Sequence, residues 1–382
     1  MATMSQPFIS SGRSRPCSRL LASGLSPVYP CHVPPRDMRS HPIGTGPFKF
    51  VAFKPNESIT VTRNPDYWKP GRPYLDGIEY TIIPNRSTAQ LAFIAGKFDM
   101  TFPTGVTVPL LRDVRSQMPQ AICELQTSNV ARSLIVNHTA APFDNPDIRK
   151  AMALALDRKA FIDILSEGED RIGGLMLPPP EGAWGLPPEI LATLPGYDPD
   201  VEKSRVQARG LMSTLGYGPD KPLKVRVATR NDQEFRDTSV ILMDQLKQIG
   251  IDGDLDLIEA VNWFSRLARK DYQIGFIFSL TSVDDPDQLL YENYTCGAER
   301  NYLGYCDREM ERRFDRQSIE TDPEKRKRLV WEIDKRLQED AVRPIIAHTR
   351  WATCWQPWVK GLTIMSNSVY NGWRFEDVWL DE

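Results

Sequence analysis

HPIGTGPFKFVAFKPNESITVTRNPDYWKPGRPYLDGIEYTIIP, residues 41–84, carries strand alternation, turn chemistry and an aromatic cluster in an order that narrows the fold. Gly44 and Gly46 flank Thr45 and supply the permissive backbone of a tight turn, and Pro47 leads into the extended run 48–53. Residues 54–57, Lys-Pro-Asn-Glu, are turn-forming, residues 59–63 alternate apolar and polar side chains, and Ile78, Tyr80 and Ile82 repeat that period of two. Between the strands, Asn64-Pro65-Asp66-Tyr67-Trp68 reads as a fixed turn with buried rings.

Four later stretches belong to the same pattern: PFDNPDIRKAMALALDR (142–158), VDDPDQ (283–288), RNYLGYC (300–306) and TDPEKRKRLVWEIDKRLQEDAVRPII (321–346). With GTGPF, NPDYW and the IEY segment, they make the chain resemble the bacterial extracellular solute-binding proteins of family 5, the peptide/nickel/opine class that captures ligands for ABC importers. The resemblance runs from about residue 21 to the C-terminus. It implies an α/β, two-lobed fold of the periplasmic-binding-protein class II type, with mixed sheets flanked by helices and joined by hinge strands. The implied organisation is an atypical N-terminal segment (1–40), part of lobe I (41–129), lobe II (130–344) and a return to lobe I (345–382). The implied function is capture of a small solute, oligopeptide-like, opine-like or polyol/sugar-like, between the lobes and its delivery to an ABC permease at the inner membrane. That role implies a periplasmic monomer with no cofactor and no chemical step. The alternatives are a hydrolytic enzyme and a sensory or chaperone-like binding module on the same scaffold. Chains of the class carry a signal and a long further part of lobe I ahead of GTGPF, so the resemblance also implies that this chain is a fragment or the product of a misassigned start.

Composition excludes several other classes. With 382 residues and 41% hydrophobic content the chain can bury a large core. A formal charge of −3 without a basic stripe of interleaved aromatics argues against a nucleic-acid partner. No apolar run approaches the roughly 20 residues that span a bilayer. Residues 1–20 hold Arg13, Arg15 and Arg19 among serines but lack the apolar core, roughly 7 to 15 residues long, of a secretory signal. The histidines His32, His41, His138 and His348 are isolated, and there is no GxSxG, GxxxxGK or HExxH motif.

The six cysteines, Cys17, Cys31, Cys123, Cys296, Cys306 and Cys354, form no metal-type pair of CxxC motifs. Cys296 and Cys306 bracket a polar loop. They read either as two unrelated thiols or, in the oxidising compartment the resemblance implies, as a disulfide whose ring would contribute about 3 kcal/mol. Cys17 and Cys31 are unassigned.

Along the chain, helices are predicted at 88–95 and 108–118, a strand at 98–101, and two extended segments at 121–126 and 132–137. Asn145 caps a helix opened by Pro146, and Asp157 caps a second through residue 165. A loop rich in proline and glycine follows over 168–199, either at the cleft mouth or as a plain surface excursion. Strand 223–228, helix 237–249 and strand 251–257 form a βαβ unit, extended by a helix at 261–270 and a strand at 272–278. Thr321 and Glu324 read as a capping box before a helix whose EKRKR run is a solvated face. Residues 343–355 return to the first lobe, where the C-terminal segment packs on the hairpin region with Trp373 and Trp379 in the core.

Binding chemistry has candidates in two places. Arg230 follows strand 223–228 at the end where parallel sheets place ligands, and its planar fork suits a carboxylate or phosphate; it reads equally as a surface arginine. Arg230 aligns approximately with the arginine that holds the ligand carboxylate in dipeptide binders of the class. The loop 281–287 is the second place. Ser282 stands where peptide binders carry the aspartate that pairs with a ligand ammonium, which points to an anionic, opine-like or polyol-like solute rather than a free-amine dipeptide. Asp284 could substitute for that aspartate, while Asp285 and Asp287 read as turn-holding and helix-capping. Asn231, Trp263 and Tyr294 complete the set of cleft-lining candidates.

Overall fold

The computed structural model describes residues 29–34, 36–365 and 369–381. These residues fall into two compact units: a hairpin unit, made of the described residues up to Val130, Ile162–Arg171 and the chain from His348 on, and a parallel-sheet unit of Ala131–Phe161 and Ile172–Ala347. No helix among the described residues is long and apolar enough to cross a membrane.

In the hairpin unit, β1 (Phe48–Lys54), β2 (Ser58–Arg63) and β3 (Gly77–Thr81) form an antiparallel sheet in that order. The buried Asn64 amide donates to the Gly46 carbonyl at 2.8 Å and accepts the Asp66 N–H at 3.0 Å, so one side chain ties the Gly-Thr-Gly turn to the NPDYW turn. The rings of that turn are not buried as the sequence suggests. Trp68 is 72% exposed with the Lys69 ammonium 5.2 Å over its face, because Asn64 fixes the turn without help from aromatic packing. The inner residues Phe48, Ile78 and Tyr80 pack on Trp355, Val359, Phe375 and Val378. The C-terminal segment therefore does cover the hairpin sheet, but through Phe375 and Val378. Trp373 and Trp379 remain over 40% exposed, a correction to their expected place in the core.

Helix α1 (Arg86–Ile94) is capped by Asn85, which accepts the Thr88 N–H at 2.9 Å, and α2 (Val108–Gln117) buries Leu111 and Val114 against Phe93 and Ala352. The predicted strand at 98–101 reduces to a single bridge between Met100 and Trp355.

The two extended segments predicted after α2 are one strand, β4 (Ile122–Val136), beside β8 (Ile345–Trp355). Polar Thr127-Ser128-Asn129 interrupts the apolar alternation, but all three are buried, and Ser128 Oγ and Thr349 Oγ1 share a hydrogen bond of 3.0 Å. Strands β4 and β8 also carry a disulfide that sequence reasoning missed, Cys123–Cys354. Cys31 is free and exposed, and Cys17 lies outside the described residues.

A five-stranded sheet of order β6-β5-β7-β4-β8 organises the parallel-sheet unit. β5 (Leu223–Arg230) runs parallel to β6 (Ile251–Ile258) and to β7 (Ile274–Leu280), with α7 (Gln233–Lys247) and α8 (Ala260–Ala268) as the crossovers. Gly275 is required where β5 and β7 meet, since a Cβ there would lie 2.5 Å from the Ala228 carbonyl oxygen. Helices α3 (Pro146–Ala155) and α4 (Arg158–Ser166) carry the expected caps: Asn145 accepts the Asp147 N–H and Asp157 the Ala160 N–H, each at 2.9 Å. The excursion after α4 contains only the short α5 (Pro188–Leu191) before α6 (Val201–Thr214).

Helices α9 (Pro286–Tyr294), α10 (Arg308–Ile319) and α11 (Pro323–Glu339) complete the unit. Asp322, not the Thr321/Glu324 pair, caps α11, accepting the Glu324 and Lys325 N–H groups at 3.0 Å. The EKRKR run is likewise not wholly a solvated face, because Arg326 is buried.

Candidate functional site: the carboxyl ends of the parallel strands

β5 and β7 are parallel neighbours, so Arg230 at the end of one and residues 281–287 after the other share one edge of the sheet. Helix α7 begins four residues earlier than its predicted start, leaving only Asn231 and Asp232 between strand and helix. Asp232 caps that helix by accepting the Phe235 N–H at 3.1 Å, and its carboxylate also accepts from Arg230 Nε. The Arg230 guanidinium lies 4.3 Å over the Phe235 ring, with about a third of its side chain (34%) exposed. It is an oriented, solvent-reaching cation that already shares one carboxylate. Asn231 bridges the ends of β5 and β6: its Nδ2 donates to Glu259 at 2.8 Å, its Oδ1 accepts from Arg236 at 2.8 Å, and its N–H donates to the Ile258 carbonyl.

The end of β7 is built differently. Ser282 is 6% exposed, and its N–H and hydroxyl both donate to Gln288 Oε1 at 2.9 Å. Asp284 Oδ2 accepts the Ala183 N–H at 2.9 Å and its carbonyl accepts Trp184 Nε1 at 3.0 Å, so this residue holds the 177–185 loop. Asp285 accepts the Asp287 N–H at 3.1 Å at the start of α9. Arg326 donates to both Asp285 oxygens, at 2.9 and 3.1 Å, and to Asp287 at 3.1 Å, with Gln317 accepting its Nε–H at 3.1 Å. Gln317 and Ser318 donate to Asp287, and the Trp184 ring covers the guanidinium at 4.7 Å. Two buried carboxylates are thus held by one buried arginine and neutral donors, the arrangement that makes a buried ionic cluster tolerable.

Trp263 and Tyr294 lie in the packed interior, each 0% exposed. Trp263 stands edge-on to Phe235 at 5.5 Å, and Tyr294 lies 5.4 Å from the Arg343 guanidinium with its phenol pushed up to about 12 by burial. No group of His, Cys, Asp and Glu among the described residues could hold a metal ion. His138 is driven down to about 4 by burial and by Arg149, and is neutral at ordinary pH. Cys296 and Cys306 are joined, closing the loop that carries Arg300 and Tyr302. Sequence reasoning missed Asp232, Gln288 and Arg326. An Asp three residues before Phe235 was a usable capping signal, whereas the long-range partnership of Arg326 left no local trace.

Residues 14–301 match the sequence profile of the bacterial extracellular solute-binding proteins, family 5 Middle. The chain belongs to this family. Among curated relatives, Di/tripeptide-binding protein 2 of Pseudomonas aeruginosa is 24% identical over 91% of this chain and 62% of its own length. Oligopeptide-binding protein OppA of Bacillus subtilis is 26% identical over 80% and 56%. The chain therefore spans somewhat over half the length of these family members. Among solved structures, AgaA in complex with agropinic acid, from A. tumefaciens R10, superposes with a TM-score of 0.81 at 22% identity over 97% of this chain and 75% of that one. The periplasmic binding protein DppA of Helicobacter pylori, with the peptide STSA, gives 0.77 at 23% identity over 89% and 63%. These likenesses show that this family member has the α/β periplasmic-binding-protein fold.

Proposed function

We propose that the chain is the solute-binding component of an ABC import system, a periplasmic monomer that holds a small solute and presents it to a membrane permease without a chemical step. Family membership supports the role. Two disulfides suit an oxidising compartment. The single observation that carries the ligand class is the contrast in charge at the sheet edge. Arg230 offers a guanidinium on the solvent side, whereas Ser282 brings no carboxylate and spends both donors on Gln288.

Relatives named for di- and tripeptides, oligopeptides, haem and glutathione, and solved neighbours holding agropinic acid or named for EDTA, span several solute charges. Arg230 and Ser282 favour the anionic, opine-like end of that range over free-amine dipeptides, with neutral polyols second. Asn231 and Asp284 shape the edge, Trp263 stands behind it against Phe235, and Tyr294 lies at the far end of α9.

Native mass spectrometry of the purified protein, followed by denaturation, identifies a carried solute and whether it leaves unaltered. Titration calorimetry with dipeptides, opines, sugars and sugar phosphates then tests its class. Arg230→Ala weakens an anionic solute by about 1–3 kcal/mol, the range for a hydrogen bond to a charged group at a partly exposed site, and Ser282→Asp raises affinity for amine-bearing ligands. Tight binding of unmodified dipeptides that ignores Arg230→Ala would overturn the assignment.

A further inference from the structure

The amino ends of β5 and β6 open on a cleft of about 470 Å³, at the opposite edge of the sheet from Arg230. The steps from Leu223 to Arg230 along β5, at about 3.3 Å each, separate the two edges by roughly 23 Å. Two helix exits build the cleft. Where α6 ends, the Tyr217 N–H donates to the Met212 carbonyl and the Gly216 N–H to that of Ser213, both at 2.9 Å. Where α7 ends, the Gly250 N–H donates to the Lys247 carbonyl at 3.2 Å. A Cβ on Gly250 would lie 3.0 Å from the Gly218 Cα, so glycine lets the two exits close on each other. Carbonyls that a helix end leaves open are thus taken up within the chain, and the lining offers a guest carbon and cations. Ile249 and Ile251, at most 1% exposed, lie deepest, and the half-buried Tyr217 and Pro222 complete the apolar part. Arg209 and Lys247 belong to the same lining and reach solvent. Arg209 shares Glu202, and Asp252, the carboxylate of the lining, is held by Lys224. Lys247 makes no ion pair among the described residues. Volume and lining are those of a small-molecule site. An ammonium would meet two cations there and a carboxylate already engaged, whereas an anion with a flat hydrocarbon body meets both halves of the lining.

We infer that this cleft is a second binding site, for a small aryl carboxylate whose ring packs on Ile249 and Ile251 and whose carboxylate is met by Lys247, with Arg209 as the further cation. The site lies wholly within the parallel-sheet unit. It does not rest on the assignment of Arg230, and a solute at the carboxyl ends of the strands does not reach it.

The test uses the full 382-residue chain. Crystals soaked in 5-bromoindole-3-acetate give an anomalous bromine peak between Tyr217 and Ile249, which separates this cleft from the Arg230 edge. In solution, calorimetry compares indole-3-acetate with its neutral isostere indole-3-acetamide. The carboxylate binds more tightly, and Lys247→Gln weakens it by roughly three- to fivefold, the scale of an exposed charge pair, while leaving the amide unchanged. Ser213 lines the cleft from an exposed position on α6. Ser213→Trp therefore fills the cleft without entering the core, and it abolishes the bromine peak. No bromine peak in the cleft, or a peak only at the Arg230 edge, overturns the inference, as does an unchanged indole-3-acetate affinity in Lys247→Gln. If Ser213→Trp fails to fold, the bromine position in the unaltered chain and the Lys247→Gln titration decide.

Discussion

The ends of β5 and β7 lie on the same edge of one sheet and are built on opposite principles. After β5 the chain enters a helix within two residues, and the cation on the strand's last residue, Arg230, is a third exposed and held by a neighbour two positions away. After β7 the chain makes a longer turn in which Ser282, Asp285 and Asp287 are buried, Val283 and Asp284 are half-buried, and Arg326, Gln288 and the 177–185 loop cross-link the segment. One end can answer a ligand by exchanging partners. The other is fixed before any ligand arrives, so its contribution to recognition is shape and the absence of a free charge. Preorganisation of this kind lowers the ordering cost of binding, while the exposed cation sets which charge is welcome.

The contrast breaks most visibly at Arg326. Arg326→Met removes the guanidinium between Asp285 and Asp287 and leaves two buried carboxylates without a cation, so urea unfolding should show a loss of about 3–5 kcal/mol. A loss below about 1 kcal/mol, the scale of an exposed pair, would mean that the β7 turn is not locked as described. Gln288→Ala is the next test. It strips the common acceptor from the Ser282 N–H and hydroxyl, with an expected cost of about 1–3 kcal/mol for leaving buried donors unmet. Hydrogen exchange at the Ser282 amide should accelerate in that variant well beyond the global change.

At the β5 end the smallest change in stability accompanies a change in recognition. Asp232→Asn keeps a good helix cap, so the melting midpoint moves little. Removing the carboxylate that shares Arg230 should nevertheless strengthen binding of an anionic solute several-fold by calorimetry. Unchanged or weaker anion binding would show that Asp232 orients Arg230 productively instead of competing for it.

Much of the architecture was legible in the residues because it rests on local chemistry. Period-two alternation marked the hairpin strands, Asn145 and Asp157 marked the starts of α3 and α4, and a run of strand, helix and strand over 223–257 marked the parallel unit. Legibility failed where a long-range partner satisfied something that looked locally wrong. Thr127-Ser128-Asn129 reads as a break, yet bonds to β8 keep β4 continuous through it. Arg326 reads as one charge in a solvated run, yet two carboxylates about 40 positions away draw it inside. Trp68 reads as core, yet the Asn64 amide fixes its turn and leaves the ring outside.

The cysteines divide along the same line. Cys296 and Cys306 are 10 positions apart around a polar loop, a separation at which the chain itself brings two thiols close. Cys123 and Cys354 are 231 positions apart and meet only because β4 and β8 lie side by side. The sequence by itself determined most of the elements, the caps at Asn145 and Asp157 and the family, since each depends on residues within a few positions of one another. Tertiary structure alone decided which charges are buried, which are met by a partner and which, like Arg230, are left to face a solute. Burial and pairing are properties of neighbours in space, and the order of residues along the chain does not state them.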